Sequence, residues 1–480
     1  MGFQQGLSGL SAASQQLDVI GNNIANAGTV GFKSSQAQFS DVYANSLNGA
    51  SANAIGIGVR VAGVEQQFTQ GNVSTTSNPL DIAINGNGFF RMTTNGAVTY
   101  SRNGQFQLDK NGYIVNAQGS QLTGYAANTN GVLSTGSPVP ININTADLAP
   151  NQTSTINAVM NFNSTLNVPG TVLPVTTPPV ITPTAFDPTN ATTYNSSTST
   201  TVYDSLGNSH VVQTYYVKVD PITIPGAFIP PTLTKPSSAW TVYGTVDGSL
   251  FDNGNLAVPA VNGQLTKPIP PSTSIVPVPL ATLGFSNLGA LVGVYDATNP
   301  ANWASASFSA TSPNAFKMAV PIPYSSAVSP INSAIDIKFD FTSSTQYGSP
   351  YSVSTMKQDG FASGKLSSFN TGKDGTIVGS YTNGQTKVLG QVVLANFTDP
   401  NGLQSLGGNQ WGETAASGQA LVGSPAVGAL GTLTSSATED SNTDLTGDLV
   451  RMITAQRNYQ ANAQTIKTED QVLQTLVNLR

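Results

Sequence analysis

The sequence predicts a mainly β protein with an α-helix at each terminus, in a discontinuous multi-domain arrangement. Three observations lead to this fold class. Apolar residues recur at heptad spacing near both ends of the chain, and Asn-Gly turns separate short apolar runs between them. Only 9% of the 480 residues are charged, whereas the chain contains 47 glycines and 29 prolines, a composition that favours strands and turns.

The N-terminal segment predicts a helix of about six turns, because apolar residues repeat every three or four positions. Gly28 follows as a C-cap, and Gly31 stops any continuation. The residues of this N-terminal seam are Leu10, Ala13, Leu17, Ile20, Ile24 and Ala27.

The C-terminal segment 445–480 contains no proline and keeps a second heptad register. Either segment alone fits an ordinary amphipathic surface helix, but two matching seams at the two termini favour a coiled coil between them. The residues of this C-terminal seam are Leu445, Leu449, Met452, Tyr459, Ala463, Ile466, Leu473 and Val477.

The middle of the chain predicts β-domains nested between the helices. Asn-Gly pairs begin at Asn95, Asn103, Asn111, Asn130 and Asn383, and each predicts a hairpin with a tight primed turn. Proline and threonine become denser between about 150 and 350, which predicts one or two outer β-barrel or sandwich domains with long loops. The expected division is a terminal helical domain (1–28 and 441–480), an extended β region (29–75), a split inner β domain (76–150 and 356–440) and an inserted outer part (151–355).

The charge pattern and the missing cysteines exclude several functions. The net charge of −6 includes no basic patch, so no nucleic-acid binding is expected. Without cysteine, disulfides and thiolate chemistry are impossible. The first residues do not resemble a cleaved signal peptide, and no apolar run is long enough for a membrane span, so we expect no membrane insertion.

No catalytic motif stands out. His210 is the single histidine, and no Gly-x-Ser-x-Gly elbow accompanies it, so a polar residue on a strand or turn is the favoured interpretation. Neither Gly364-Lys365 nor Gly372-Lys373 continues as a phosphate-binding loop. A glycosidase carboxylate pair stays open in principle, but no pair is singled out. We therefore predict no enzyme activity, no cofactor and no metal.

Long motifs at both ends resemble the flagellar rod and hook axial protein family. Leu17–Lys33 resembles the N-terminal signature of that family, and Met452–Ala463 resembles its C-terminal signature. Asn78–Phe90 and Tyr100–Gly104 are similar to its first β-domain. Further motifs at Phe186–Pro188, Thr193–Asn195 and Val202–Asn208 resemble the outer domain of the hook branch rather than the rod branches.

The resemblance implies a structural subunit of the flagellar hook that self-assembles into a curved, flexible tube, a universal joint between rod and filament. Implied partners are further copies of the chain, other axial proteins (distal rod, hook cap and hook–filament junction) and the flagellar type III export apparatus. The implied location is the basal body and hook at the cell exterior. The alternatives are a distal rod or hook-associated axial protein and, from another class, an extracellular β-domain adhesin.

Candidate site residues are those expected to serve self-assembly. Three asparagines near the end of the N-terminal helix can donate to its unpaired carbonyls or to a neighbouring subunit. Arg457 and Tyr459 lie two positions apart and so face different sides of their helix. The full set is Leu10, Leu17, Ile20, Asn22, Asn23, Ile24, Asn26, Phe32, Leu445, Leu449, Met452, Arg457, Tyr459, Ile466, Leu473 and Val477.

Overall fold

A computed structural model describes residues 2–42, 56–173, 180–220, 236–250, 277, 279–296, 315–320 and 335–478. The chain forms two compact units. Unit 1 contains residues 1–146 and 365–480, and unit 2 contains residues 147–364. Parts of the predicted extended region 29–75 and of the predicted outer part 151–355 lie outside the described residues.

The elements follow the chain in three groups. The N-terminal part of unit 1 contains α1 (Gly2–Ala25), β1 (Ser35–Val42), β2 (Gly58–Gln66), β3 (Val73–Thr75), β4 (Ile82–Asn85), β5 (Phe89–Thr94), β6 (Ala97–Ser101), β7 (Gln107–Leu108), β8 (Ile114–Val115), β9 (Gln121–Ala126) and β10 (Val139–Pro140). Unit 2 contains β11 (Thr155–Asn163), β12 (Gly170–Leu173), β13 (Val180–Pro183), β14 (Ser196–Tyr203), β15 (Ser209–Val219), β16 (Ser238–Val246), β17 (Ser249–Leu250), β18 (Ala281–Phe285), β19 (Leu291–Asp296), β20 (Ala315–Val320), β21 (Ile335–Asp340), β22 (Thr345–Tyr347) and β23 (Ser352–Gln358). The C-terminal part of unit 1 contains β24 (Leu366–Thr371), β25 (Thr376–Tyr381), β26 (Thr386–Val392), β27 (Leu394–Asn396), β28 (Gln404–Gly407), β29 (Gln410–Gly412), β30 (Leu421–Gly423), β31 (Thr432–Ser435), β32 (Ala437–Glu439) and α2 (Leu445–Asn478).

The two helices begin and end at local signals. α2 begins after Asp444, whose carboxylate accepts a hydrogen bond from the Gly447 backbone N–H at 3.1 Å and so caps the first turn. α1 ends at Ala25, slightly earlier than the predicted C-cap at Gly28. The antiparallel hairpin of β1 and β2 follows α1 and packs against it.

Unit 1 is built from both ends of the chain. Its largest sheet contains thirteen described strands. Eight of them follow the order β24-β25-β26-β9-β5-β6-β29-β28, and the other five branch from this path. The N-terminal strands pair with C-terminal ones: β5 with β27, β9 with β26, β6 with β29, β4 with β31 and β3 with β32. The main core therefore mixes residues of both parts, such as Ile84, Phe90, Leu394 and Leu433. Neither part buries this core without the other.

The predicted Asn-Gly turns are confirmed in part. Asn95-Gly96 joins β5 to β6, and both residues have positive φ (50° and 88°), as a primed turn requires. The Asn103-Gly104 hairpin prediction was wrong. The chain there crosses to β4, where Ile82 donates its N–H to the Gly104 carbonyl at 2.9 Å, so close that a Cβ on Gly104 would collide with the Ile82 carbonyl oxygen.

Unit 2 contains two main sheets. One follows the order β14-β15-β16-β18-β19, and the other follows β20-β21-β11-β22 with β23 on the far side of β11. A common aromatic and aliphatic core lies between them, with Phe162, Tyr216, Trp240 and Phe339 fully buried. The fold is mainly β with one helix at each end, as predicted. No described sheet closes into a barrel, so the barrel expectation is corrected to open sheets.

Candidate functional site

The candidate site is the pair formed by α1 and α2, which run antiparallel and contact each other through small residues. Gly2 lies against the side chain of Glu469, Gly6 against Ile466, and Gly9 against Asn462. A Cβ on Gly6 would lie 3.0 Å from Cγ1 of Ile466, and one on Gly9 would lie 2.6 Å from Oδ1 of Asn462. Glycine therefore lets the two backbones approach more closely than any larger residue would.

The predicted seam of α1 only partly coincides with the buried face. Ile20 is buried, whereas Leu10, Leu17 and Ile24 are half-buried. The buried positions of α1 are Gly6, Ala12, Ala13, Ile20 and Asn23. The pattern of large apolar residues was misleading here because glycine and alanine, which it undervalues, make the close contacts.

The predicted seam of α2 likewise coincides only partly with the less exposed face of the helix. Met452 and Ile466 are half-buried, but Leu445, Leu449, Tyr459, Leu473 and Val477 are exposed, Val477 to 72%. Arg457 is also exposed. The buried residues of α2 are Asp448 and Ala455, which continue through Asn462 and Glu469 at intervals of seven. The face of α2 that contacts α1 is therefore rotated about the helix axis by roughly 50° from the predicted seam, which is half of the ~100° between successive residues.

Large apolar side chains consequently remain on the outside of the helix pair. Because Gly2 lies against Glu469, segment 470–478 extends past the first residue of α1, and all of it is exposed. The exposed apolar residues of the two helices are Phe3, Leu7, Leu445, Leu449, Val450, Ile453, Tyr459, Val472, Leu473, Leu476 and Val477, which we call the outer apolar face. Exposed large apolar side chains on a pair of helices are candidates for protein–protein contacts.

The three predicted asparagines have different local roles. Asn26 donates to the carbonyl of Asn22 at 3.0 Å and to its side-chain Oδ1 at 2.7 Å, which satisfies a carbonyl at the helix end. Asn23 is buried and forms two hydrogen bonds of 2.9 Å with the backbone of Ser35, at the start of β1. Asn23 thus fixes the first strand to α1, while the exposed Asn22 remains accessible.

A buried charged cluster lies where both helices join the β-rich part of unit 1. Nζ of Lys33 lies 2.6 Å from Oε1 of Glu439, and Nη1 of Arg102 lies 3.1 Å from Oε2. Burial lowers the pKa of Lys33 and that of Arg102, and the Glu439 carboxylate opposes both shifts. Phe32, the neighbour of Lys33, is half-buried.

Sequence reasoning missed this cluster. Lys33 and Arg102 both lie in recognised motifs, but Glu439 is 406 positions from Lys33, and no local pattern connects them. The scarcity of charge was an available signal. In a chain with only 9% charged residues, a cation within a recognised motif is a candidate for a specific ion pair.

His210 lies on β15 between two carboxylates. Its Nδ1 is 2.8 Å from Oδ2 of Asp247, and its Nε2 is 3.7 Å from Oδ2 of Asp204. A catalytic triad needs a serine hydroxyl at one of these nitrogens, and carboxylates face both. Within the described ranges, no group of three or more His, Asp or Glu residues is arranged to hold a metal ion, and neither helix is long and apolar enough to cross a membrane.

Comparison with known proteins agrees with this organisation. Four family models match the chain: "Flagella basal body rod protein" at residues 3–33, "Flagellar hook protein FlgE/F/G D1 domain" at 83–161, "Flagellar basal body protein FlaE D2 domain" at 169–361 and "Flagellar basal body rod FlgEFG protein C-terminal" at 434–479. Flagellar hook protein FlgE of Escherichia coli K12 is 40% identical over 100% of both chains, and that of Salmonella typhimurium LT2 is 41% identical over 100% of both. The chain belongs to the FlgE family of flagellar hook proteins. Borreliella burgdorferi FlgE is a more distant relative, 30% identical over 99% of this chain and 98% of its own.

This flagellar hook protein is a structural subunit of the flagellum. The matches at 3–33 and 434–479 contain every residue of the predicted self-assembly set and most of both helices. The match at 169–361 lies within unit 2, and the match at 83–161 covers most of the N-terminal strands of unit 1. The hook identity predicted from the terminal and outer-domain motifs is confirmed.

Proposed function

We propose that this hook protein polymerises head-to-tail into a curved, hollow, flexible tube that acts as a universal joint between rod and filament. The observation that carries the proposal is the outer apolar face, which the subunit leaves exposed although its two helices are already paired. A repeated head-to-tail contact that does not close a ring builds an open helical filament. Further copies of the chain are then the partners that cover this face.

The packing of the helix pair supports this division of labour. Small residues hold α1 against α2 within one subunit, so the large side chains stay available for neighbouring subunits. Burying a Val or Leu side chain contributes about 1.5–3 kcal/mol when it is complete. Four such residues at the end of α2, Val472, Leu473, Leu476 and Val477, would make each inter-subunit contact favourable. In the tube we expect the pair to become part of a larger coiled coil.

The remaining parts receive roles in the same scheme. The terminal helical domain (1–28 and 441–480) lines the inner wall, the extended region 29–75 connects it to the inner β domain (76–150 and 356–440), and the inserted part (151–355) forms the outer layer. The weakly charged, Thr- and Asn-rich outer surfaces slide over one another as the tube bends. The subunit has a structural and not a catalytic role. It leaves the cell through the flagellar type III export apparatus and contacts the distal rod, the hook cap and the hook–filament junction proteins.

Paired substitutions test the proposal. Leu473→Gln with Val477→Gln makes the end of α2 polar without touching the α1 contact, so we expect polymerisation to fall by at least tenfold while the fold is kept. Leu421→Gln with Val427→Gln is the matched control, because these two residues are as exposed but lie outside the helices. Electron microscopy and sedimentation of the full chain measure the polymer. Normal tubes from the helix variant, or loss of tubes in the control alone, would contradict the proposal.

A further inference from the structure

Glu439 is a buried carboxylate that receives hydrogen bonds from three directions. Lys33 Nζ and the Gly71 backbone N–H donate to Oε1 at 2.6 and 2.9 Å, and Arg102 Nη1 donates to Oε2 at 3.1 Å. All three side chains are at most 3% exposed. Lys33 also donates to the carbonyl of Thr69 at 2.7 Å, and Arg102 also donates to the carbonyl of Gly86 at 2.8 Å. Each of the two cations therefore has a second acceptor besides Glu439.

The cluster connects the chain after the end of α1 and the chain before the start of α2 to the β-rich part of unit 1. Lys33 follows α1, Glu439 ends β32 just before α2, and Arg102 follows β6. The backbones also meet here, because Gly31 donates its N–H to the Glu439 carbonyl at 2.7 Å. Gly31 has a φ of 71°, and a Cβ on it would lie 2.6 Å from the Asn103 nitrogen, so glycine is required for this approach.

A second polar connection runs beside the first. The buried pair of Asn23 and the Ser35 backbone holds α1 to β1. Asn442 accepts from the Ser34 N–H at 2.7 Å and donates to the Gln67 carbonyl at 2.6 Å, which holds the chain before α2 to the segment after β2. Both helices are therefore attached by directional hydrogen bonds, in addition to the packing of α1 against β1 and β2.

The charges in the cluster indicate that it selects one arrangement of the chain, and that its role is not simply to make the fold more stable. Two buried cations share one carboxylate. The free-energy cost of removing such charges from water can exceed the attraction between them. Replacing a buried ion pair by an apolar cluster of similar volume is often neutral or stabilising, so stability alone does not account for these charges. Three side chains joined by directional bonds accept one arrangement, because any shift leaves a buried charge unpaired.

We propose that Glu439 is a positioning residue for assembly: with Lys33 and Arg102 it fixes the direction in which α1 and α2 leave the β-rich part of unit 1. Every subunit then presents its outer apolar face at the same angle, which a regular helical tube requires. The inference rests on the proposed polymerisation through the helices, and it adds the residues that set the geometry of that polymer.

The test compares the full chain with Glu439→Gln and with Leu433→Ala as a matched control. Leu433 is buried in the main apolar core of the same unit and its backbone N–H donates to the Lys373 carbonyl, so we expect its truncation to lower stability alone. Helical repeat and critical concentration are measured for tubes at temperatures where both variants have the same folded fraction. We expect Glu439→Gln to change the repeat or to raise the critical concentration at least tenfold, and Leu433→Ala to keep the wild-type values.

Each outcome decides between the alternatives. Wild-type repeat and critical concentration in Glu439→Gln, or the same change in Leu433→Ala, would overturn the positioning role. If Glu439→Gln does not fold, Lys33→Met decides, because it keeps the Arg102–Glu439 pair and removes the connection to α1. We expect Lys33→Met to fold and to change the repeat, and identical tubes would overturn the inference. Absence of tubes from the wild-type chain would instead overturn the proposed polymerisation.

Discussion

At the residue scale, the contacts of Glu439 with Lys33 and Arg102 predict that substitutions in this cluster lower the free energy of unfolding by unequal amounts. Glu439→Gln leaves two buried cations without a carboxylate, so we expect the free energy of unfolding to fall by about 3–5 kcal/mol. Lys33→Met removes the surplus cation and should cost considerably less. The double variant Glu439→Gln with Lys33→Met should lose less stability than the sum of the losses in the two single variants, since the two residues interact directly. Urea unfolding of the four chains measures this coupling, and strict additivity would contradict the contacts.

Asp359 in unit 2 predicts a pH effect of known sign. Partial burial raises its pKa, but hydrogen bonds from Ser154 and Thr155 outweigh this and hold the pKa below its ordinary value. A carboxyl with a lowered folded-state pKa adds stability above its unfolded pKa of about 4 and loses it as the pH falls further. We expect Asp359→Asn to lower stability at pH 7 by at most about 1 kcal/mol, because the carboxylate is largely solvated.

The measurement for Asp359 is thermal unfolding of unit 2 within the full chain, followed from pH 7 to pH 2. The difference between wild type and Asp359→Asn should shrink below about pH 4 as the wild-type carboxylate takes up its proton. Asp340→Asn, at the last residue of β21 in the sheet that also contains β23, provides a comparison at another carboxylate. A difference that grows toward acid pH would show that the hydrogen bonds do not favour the charged form.

At the element scale, the helix pair depends on glycine at the contact and not merely on helix formation. Gly6→Val would place a branched side chain against Ile466 and force the helices apart, so we expect loss of protection in both helices and loss of tubes. Gly21→Val is the matched control in the same helix, because no atom lies within 4 Å of a Cβ there. Hydrogen exchange and electron microscopy measure the two variants. Equal effects would mean that helix propensity, and not the contact, decides the pairing.

Sequence periodicity predicted the existence of both helices and the start of α2, but neither the exact bounds of α1 nor the faces through which the helices contact each other. A heptad of large apolar residues marks a surface that will be buried, and it does not say which neighbour buries it. In α1 and α2 the intramolecular contact uses Gly2, Gly6 and Gly9, while Leu473 and Val477 stay outside. The same limitation applies to Asn103-Gly104, where a tertiary contact with Ile82 and not a hairpin determines the turn.

At the scale of the whole molecule, both ends of the chain are needed to complete unit 1. Residues 1–146 and 365–480 share one core. The division of an inner β domain into 76–150 and 356–440 stays a prediction from the sequence. The pairing of particular strands, such as β4 with β31, could not be predicted, because it joins residues about 350 positions apart with no local signal.

In the proposed polymer, neighbouring copies of the chain cover the outer apolar face. The most direct measurement is a cryo-electron microscopy map of tubes assembled from the full chain. We predict a curved, hollow tube whose inner wall consists of α1 and α2, with Leu473 and Val477 packed against side chains of adjacent subunits. Tubes in which these two residues face solvent, or in which the β-rich units form the inner wall, would contradict the account.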